Sequence, residues 1–255
     1  WYRCLMSHIP GGRALYRFNH RIKTSVKKAI YPCSMFEDMG FTYLGPVDGH
    51  NLAQLCSTLA WAKELRCPVL VHVRTVKGKG YAPAELEPER CHGVSPFDPR
   101  GGVEEHSGED FSAVLGRELS ELAGLDRRVC AITAAMGEGT GLQTFAAAWP
   151  KRFFDVGIAE QHAVTLAAGM AATGLRPVVA IYSTFLQRAY DQILHDVALQ
   201  HLPVVFAVDR AGLVGEDGET HQGVYDLAYL HTIPGLDIYA PSSQEELAAV
   251  MAVSY

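Results

Sequence analysis

From residue 109 onward, short apolar runs alternate with longer stretches of helical periodicity. The runs at 129–135, 152–156, 176–182, 203–209 and 236–239 are rich in Val, Ile, Phe and Ala and have the length of strands. Near-continuous apolarity over four to eight residues is what a strand buried on both faces requires. Between them, 142–149, 159–173 and 186–200 read as helices; 109–123 reads as an amphipathic helix before the first strand, and 243–254 as a last helical run. Strands and helices alternating at these lengths predict an α/β fold with a doubly wound parallel sheet.

The first hundred residues are less regular. Residues 51–65 carry Leu52, Leu55, Leu59 and Ala62 on one helical side, after Asp48-Gly49-His50 as turn and cap. Residues 68–73 form a β-branched strand run, and Lys77-Gly78-Lys79-Gly80-Tyr81 a basic turn. A basic helix at 21–30 and a turn at Gly11-Gly12 are expected upstream. The stretch 82–108 is rich in Pro, Gly and charge, with no period. So long a loop inside one domain is unusual, and it reads as an interdomain linker or a functional loop.

Composition narrows the function classes. The 255 residues are 48% hydrophobic and 20% charged, with a net charge of −6. That balance is ordinary for a soluble globular chain and argues against nucleic acid as a partner. No run approaches the roughly 18 apolar residues of a membrane span. The six cysteines are scattered, without Cys-x-x-Cys or zinc spacing, as expected of reduced thiols in a cytoplasmic protein. Neither His-x-x-x-His nor a mixed Cys/His cluster occurs, so no metal ligands are expected in this chain.

Candidate chemistry follows from the strand ends. In a parallel sheet all C-terminal ends share one edge, where ligands of open α/β sheets bind. Glu160 opens the helix after 152–156; Tyr182 ends its strand and Phe185 follows; Arg210, Asp217 and His221 follow the strand 203–209. These six should crowd one rim, which offers acid, base, cation and aromatics to an anionic small substrate. Each has a plainer use. Glu160 could only complement the helix N-terminus. Tyr182 could be a strand-end aromatic, Phe185 core, Arg210 the partner of Asp209, Asp217 a turn residue before Gly218, and His221 a solvated loop histidine. Gly137-Glu138-Gly139-Thr140-Gly141 imitates a phosphate turn but lacks both the P-loop ending and the dinucleotide pattern. Lys77 and His92 flank the long loop, and nothing local decides their role.

Longer strings carry a resemblance. Gly157-Ile158-Ala159-Glu160-Gln161-His162 resembles the cofactor-activating motif of transketolase-type thiamine-diphosphate enzymes. The strings at 182–192, 209–223 and Gly45-Pro46-Val47-Asp48-Gly49-His50 are similar to the 1-deoxy-D-xylulose-5-phosphate synthase family within that group, from about Met35 to Tyr255. The resemblance implies condensation of pyruvate with D-glyceraldehyde 3-phosphate, with loss of carbon dioxide, at the head of non-mevalonate isoprenoid synthesis; the product also feeds thiamine and pyridoxal phosphate synthesis. It implies thiamine diphosphate and Mg2+ as cofactors, and a homodimer of three-domain chains. By the same resemblance Glu160 hydrogen-bonds the aminopyrimidine ring and Phe185 stacks on it. Tyr182 and Arg210 hold the acceptor phosphate, Asp217 and His221 bind substrate hydroxyl and carbonyl groups, Lys77 contacts the cofactor diphosphate, and His92 transfers protons.

The departures are omissions. The family's Gly-Asp-Gly and asparagine motif for magnesium and diphosphate is absent, as are the first-domain histidine and the third domain. Trp1 and Tyr255 look like cut ends, so the chain is expected to be an internal fragment, inactive alone. Residues 1–95 are assigned to the C-terminal part of the diphosphate-binding domain, 96–108 to a linker and 109–255 to a pyrimidine-binding domain. The competing readings are another transketolase-type enzyme and a catalytically dead cofactor-binding or dimerisation module.

Overall fold

In the computed structural model the described residues are 34–88, 91–94, 96–103, 110–214 and 218–254. The expected helix at 21–30 and turn at Gly11-Gly12 lie outside them. The chain divides into two units, 1–104 and 105–255.

The first unit runs α1 (Ser34–Asp38), β1 (Thr42–Asp48), α2 (Leu52–Glu64), β2 (Val69–Arg74) and α3 (Ala82–Leu86). β1 and β2 pair in parallel, Thr42 opposite Val69 and Asp48 opposite Arg74. The register shifts between Leu44 and Val47, where Pro46 has no N–H to give to a ladder. The Asn51 side chain caps α2 by accepting from the Gln54 N–H at 3.1 Å. The periodicity of 51–65 therefore placed this helix within a residue at each end. No residue of α2 is buried; Leu52 and Leu59 of its apolar face are exposed, and so is Trp61 on the opposite side. Two sequence expectations need correction here. β1 was not anticipated, because Gly45 and Pro46 break its apolar run, and the stretch 82–108 contains a short helix, which Pro83 opens at its second position.

The second unit contains α4 (Phe111–Leu125), β3 (Val129–Thr133), α5 (Gln143–Ala148), β4 (Phe153–Asp155), α6 (Glu160–Ala172) and β5 (Arg176–Tyr182). After β5 come α7 (Ser183–Leu186), a 3-10 turn (Gln187–Ala189), α8 (Tyr190–Gln192) and a π-helical segment (Ile193–Ala198). β6 (Val205–Asp209), a 3-10 turn (Glu219–His221), α9 (Asp226–Leu230) and α10 (Gln244–Val253) follow. The strands form one parallel sheet in the order β4-β3-β5-β6.

Both faces of this sheet are covered, so the fold is the doubly wound α/β class expected. Alternate residues of β5 enter opposite cores. Val179 and Ile181 pack with Ala163, Val164 and Ala167 of α6 and with Leu186, Ile193 and Val197; Val178 and Ala180 pack with Leu115 and Leu119 of α4, Phe145 of α5 and Met251 of α10. The N-terminal end of the sheet is tied by Arg152, whose guanidinium donates to the carbonyls of Ala123, Asp126 and Val129 and lies 4.1 Å from the Trp149 ring.

Two more expectations are corrected. The helix read at 186–200 is a broken path of α, 3-10 and π turns that already starts at Ser183. The strand read at 236–239 is irregular: Gly235 at φ 77° and Pro241 bracket it, and it does not extend the sheet beyond β6.

Helix α4 approaches the loop after β3 so closely that glycines are required. A Cβ on Gly116 would lie 2.0 Å from the Gly141 carbonyl oxygen, and one on Gly141 (φ +71°) would lie 1.9 Å from the Ser112 carbonyl oxygen. Gly169, in α6, faces open space. The same substitution should therefore act with opposite signs in two helices. Gly116→Ala should lower stability by at least about 2 kcal/mol through backbone displacement, whereas Gly169→Ala should raise it by about 0.5–1 kcal/mol through helix propensity. Chemical denaturation of both variants checks this; equal effects would show that the close approach is not rigid.

Candidate functional site

The chain leaves β3 toward β4 and leaves β5 toward β6, so the C-terminal ends of β3 and β5 flank the point where the winding reverses. Glu160, Tyr182, Phe185, Arg210 and His221 lie at that edge.

Glu160 is the first residue of α6 and only 2% exposed. Ala159, before it, has no side chain with which to cap the helix. The turn is held instead by Asp155, at the end of β4, whose Oδ1 accepts from the Gly157 N–H at 2.9 Å and the Ala135 N–H at 2.8 Å. One carboxylate oxygen thus ties the approach to Glu160 to the segment leaving β3. The Arg188 Nη1 donates to Glu160 Oε2 at 3.3 Å, from a side chain that is 56% exposed. Glu160 is thus a buried carboxylate in the first turn of a helix, with a cation reaching it from the outer side.

At the same edge of the sheet, four of the predicted side chains form one row. The Arg210 guanidinium lies 4.0 Å from the Tyr182 ring centroid. Tyr182 stacks on Phe185 with centroids 6.1 Å apart and planes at 23°. Phe185 meets His221 edge-on at 5.3 Å and 88°. The ladder explains the start of this row, because Tyr182 is the register partner of Asp209 and brings Arg210 alongside. Arg210 has φ 56°, a left-handed conformation uncommon for a non-glycine residue, of the kind found at sites held by their surroundings. The plainer reading of Arg210 as the partner of Asp209 misses the stacking on Tyr182.

The loop Gly137–Gly141 takes a part the sequence did not indicate. A Cβ on Gly139 would lie 1.6 Å from the Tyr182 hydroxyl and 3.3 Å from Arg210 Nη2. The glycine makes room for the Tyr182–Arg210 pair. Thr140 and Gly141 turn back by hydrogen bonds to Met136 and Glu138.

Asp209 carries the clearest electrostatic perturbation of the site. Burial pushes its carboxyl above the ordinary value, opposed by the Ser112 hydroxyl, which donates to Oδ2 at 2.6 Å, and by the Arg210 charge.

Asp217 falls outside the described residues. Lys77 and His92 are both exposed, in the first unit. A shallow cavity of about 310 Å3 in that unit, lined by Asp48, His50 and Arg74 among others, contains none of the candidates. Sequence reasoning assigned no role to Asp155, Ser112, Arg188 or Asp226, and weighed Gly139 only as part of a phosphate turn. Only Asp155 left a local signal, an acid ending a strand two residues before a glycine. Among the described residues no group of three or more His, Cys, Asp or Glu could hold a metal ion, and no helix is long and apolar enough to cross a membrane.

The family model of the transketolase pyrimidine-binding domain matches residues 108–255. The chain belongs to that family. A second family model, that of 1-deoxy-D-xylulose-5-phosphate synthase, matches residues 3–75. A 1-deoxy-D-xylulose-5-phosphate synthase from Pelotomaculum thermopropionicum is 58% identical over 95% of this chain and 38% of its own length. One from Thermomicrobium roseum is 53% identical over 98% of this chain and 39% of its own. The resemblance drawn from the strings at 182–192 and 209–223 therefore stands. The chain spans about two fifths of the length of these relatives. Among solved structures, a split-gene transketolase in an inactive β4 tetramer matches with a TM-score of 0.51 and 28% identity over 56% of this chain and 47% of its own. The transketolase of Leishmania mexicana matches in fold with a TM-score of 0.50 at 18% identity, over 87% of this chain and 45% of its own.

In this pyrimidine-binding domain the Asp209 perturbation has a pH signature. A carboxyl whose folded value is raised favours the folded state most while protonated, and that contribution is lost as pH rises through the folded value. Asp209→Asn cannot ionise and escapes the loss. Its stability relative to the wild type, measured by urea unfolding, should improve as pH is raised from about 4 to about 7. A difference independent of pH would remove Asp209 as the cause.

Proposed function

We propose that this chain carries the pyrimidine-binding half of the active site of a 1-deoxy-D-xylulose-5-phosphate synthase, which joins pyruvate to D-glyceraldehyde 3-phosphate and releases carbon dioxide. The observation that carries the reading is the buried Glu160 carboxylate at the sheet edge that also carries the Arg210–Tyr182–Phe185–His221 row.

The residues suit thiamine diphosphate on the pyrimidine side. A carboxylate in a site of low dielectric can accept a strong hydrogen bond from one ring nitrogen, and Glu160 is placed to offer it. Phe185 gives an aromatic face against which a flat heterocycle can stack. When bound, the cofactor supplies the nucleophilic carbon that takes up the two-carbon unit of pyruvate. Arg210 holds the acceptor phosphate with its planar fork, kept in place by Tyr182. His221 and Asp217 hold the hydroxyl and carbonyl groups of the substrates, Lys77 meets the diphosphate, and His92 moves a proton.

Residues 1–95 then belong to the C-terminal part of the diphosphate-binding domain, 96–108 to the linker and 109–255 to the pyrimidine-binding domain. The matches at 3–75 and 108–255 support that division. Mg2+ would be held with the diphosphate by the family's Gly-Asp-Gly and asparagine motif, which this chain does not contain. The enzyme works as a cytoplasmic homodimer, and this chain by itself is inactive; the inactive β4 tetramer of the split-gene transketolase is a parallel.

Two substitutions in the full-length protein test the assignment, with carbon dioxide release from pyruvate measured with and without glyceraldehyde 3-phosphate. Glu160→Gln should keep the fold and cut turnover on the order of a hundredfold, the usual cost of about 3 kcal/mol for a preorganised interaction. Near wild-type turnover would refute the role. Arg210→Ala should raise the KM for glyceraldehyde 3-phosphate about ten- to a hundredfold and leave that for pyruvate much less changed. Equal changes in both, or in neither, would return Arg210 to a structural role.

A further inference from the structure

Next to the aromatic row lies a buried polar contact. Ser183 is fully buried and follows Tyr182 directly; its hydroxyl donates to Asp226 Oδ2 at 2.5 Å. Asp226 is 7% exposed and opens α9. Its other oxygen, Oδ1, and the Tyr229 hydroxyl one turn along α9 are buried without a well-formed hydrogen bond, although the phenol lies within reach of the carboxylate. Burial first, and then the Asp226 carboxylate, hold the Tyr229 phenol far above its ordinary range, so it stays neutral beside the acid.

The same serine hydroxyl is confined from a second side. A Cβ on Gly223 would lie 2.4 Å from Ser183 Oγ, 2.5 Å from the Arg210 carbonyl oxygen and 2.8 Å from the Ala211 Cα. Gly223 also exchanges both backbone hydrogen bonds with Gly212, at 2.7 and 2.8 Å. One residue past Ser183, the Thr184 hydroxyl donates to the Thr220 carbonyl at 3.1 Å. Three stretches of chain therefore converge on Ser183: the turn after β5, the exit of β6 at Arg210–Gly212, and the return through 220–226. Tyr182, Arg210 and His221 each stand within two residues of a member of this knot.

A buried carboxylate whose second oxygen lacks a well-formed hydrogen bond lowers stability. Such costs are tolerated where a side chain holds a functional geometry. We propose that Asp226 is a positioning residue: through Ser183 it clamps the Tyr182–Phe185 turn to the returning loop and so sets the spacing of Tyr182, Phe185, Arg210 and His221. The proposal rests on the reading of this row as the acceptor site, but the clamp has a geometric readout of its own. Phe185 lies edge-on to His221, so the ring-proton resonance of His221 is displaced by its ring current for as long as the row is in register.

The test uses the full-length protein with labelled histidine and the variants Ser183→Ala, Asp226→Ala and Asp226→Asn. Ser183→Ala and Asp226→Ala should move the His221 resonance toward its solvent-exposed position and raise the KM for glyceraldehyde 3-phosphate about tenfold, with that for pyruvate changed less than about twofold. Asp226→Asn retains an acceptor for Ser183 and turns an amide donor toward Tyr229, so it should keep both the resonance and the KM near wild type. Ser183→Ala is the milder change and stands in if Asp226→Ala does not fold. An unmoved His221 signal in Ser183→Ala, or Asp226→Asn as damaging as Asp226→Ala, overturns the clamp. A wild-type protein without synthase activity would instead sink the functional reading, and the His221 signal would then decide the clamp alone.

Discussion

The parallel ladder between β5 and β6 is the constraint on which the candidate site depends. With Tyr182 opposite Asp209, the first residue past each strand is brought to the same level at the edge of the sheet. A slip of one residue would reverse every side chain of β6 between the two cores and take Arg210 away from the Tyr182 ring. The slip is resisted from the middle of the sheet, because β5 sends Val179 and Ile181 to one core and Val178 and Ala180 to the other. Apolar packing at the centre thereby sets polar geometry at the edge.

Glycine extends that control across the surface of the sheet. Gly116 and Gly141 bring α4 against the loop after β3, and Gly139 brings that loop against Tyr182. Ser112, on the same helix, reaches Asp209 at the end of β6. The start of α4 is thus coupled to both ends of the Tyr182–Arg210 pair, although it precedes Arg210 by nearly a hundred residues in sequence. Interiors at native packing density pass such displacements on rather than absorb them.

Much of this was legible in the chain itself. β5 lies where its apolar run placed it, and α6 begins within a residue of its expected start, because a buried parallel strand and an alanine-rich helix write strong local patterns. The candidate rim also followed from strand ends alone, and the structure joins Tyr182, Phe185, Arg210 and His221. Illegible were features decided by tertiary contact. The path 183–198 has helical periodicity, but its junctions depend on packing against α6 and on the Thr165 hydroxyl, which binds Asp196 at 2.6 Å. Residues 236–239 have the composition of a strand without the partner that makes one. Asp155, Ser112 and Asp226 are unremarkable acids and hydroxyls in sequence, and only long-range pairing gives them a role. Gly139 looked like part of a phosphate turn because a glycine admitting a ligand and a glycine admitting a tyrosine read alike.

The contact between Arg188 and Glu160 bears on the cost of occupying the site. The carboxylate has left water before any ligand arrives, so its dehydration is a term in folding and not in binding. A ligand that hydrogen-bonds Glu160 competes instead with a single guanidinium contact at 3.3 Å, made by a side chain already more than half in solvent. Arg188 loses little hydration by giving up this contact, and the ligand's donor takes its place on the buried carboxylate. The exchange is of one donor for another on an acceptor that stays dry, and it requires no rearrangement of the sheet or of the helix that Glu160 begins.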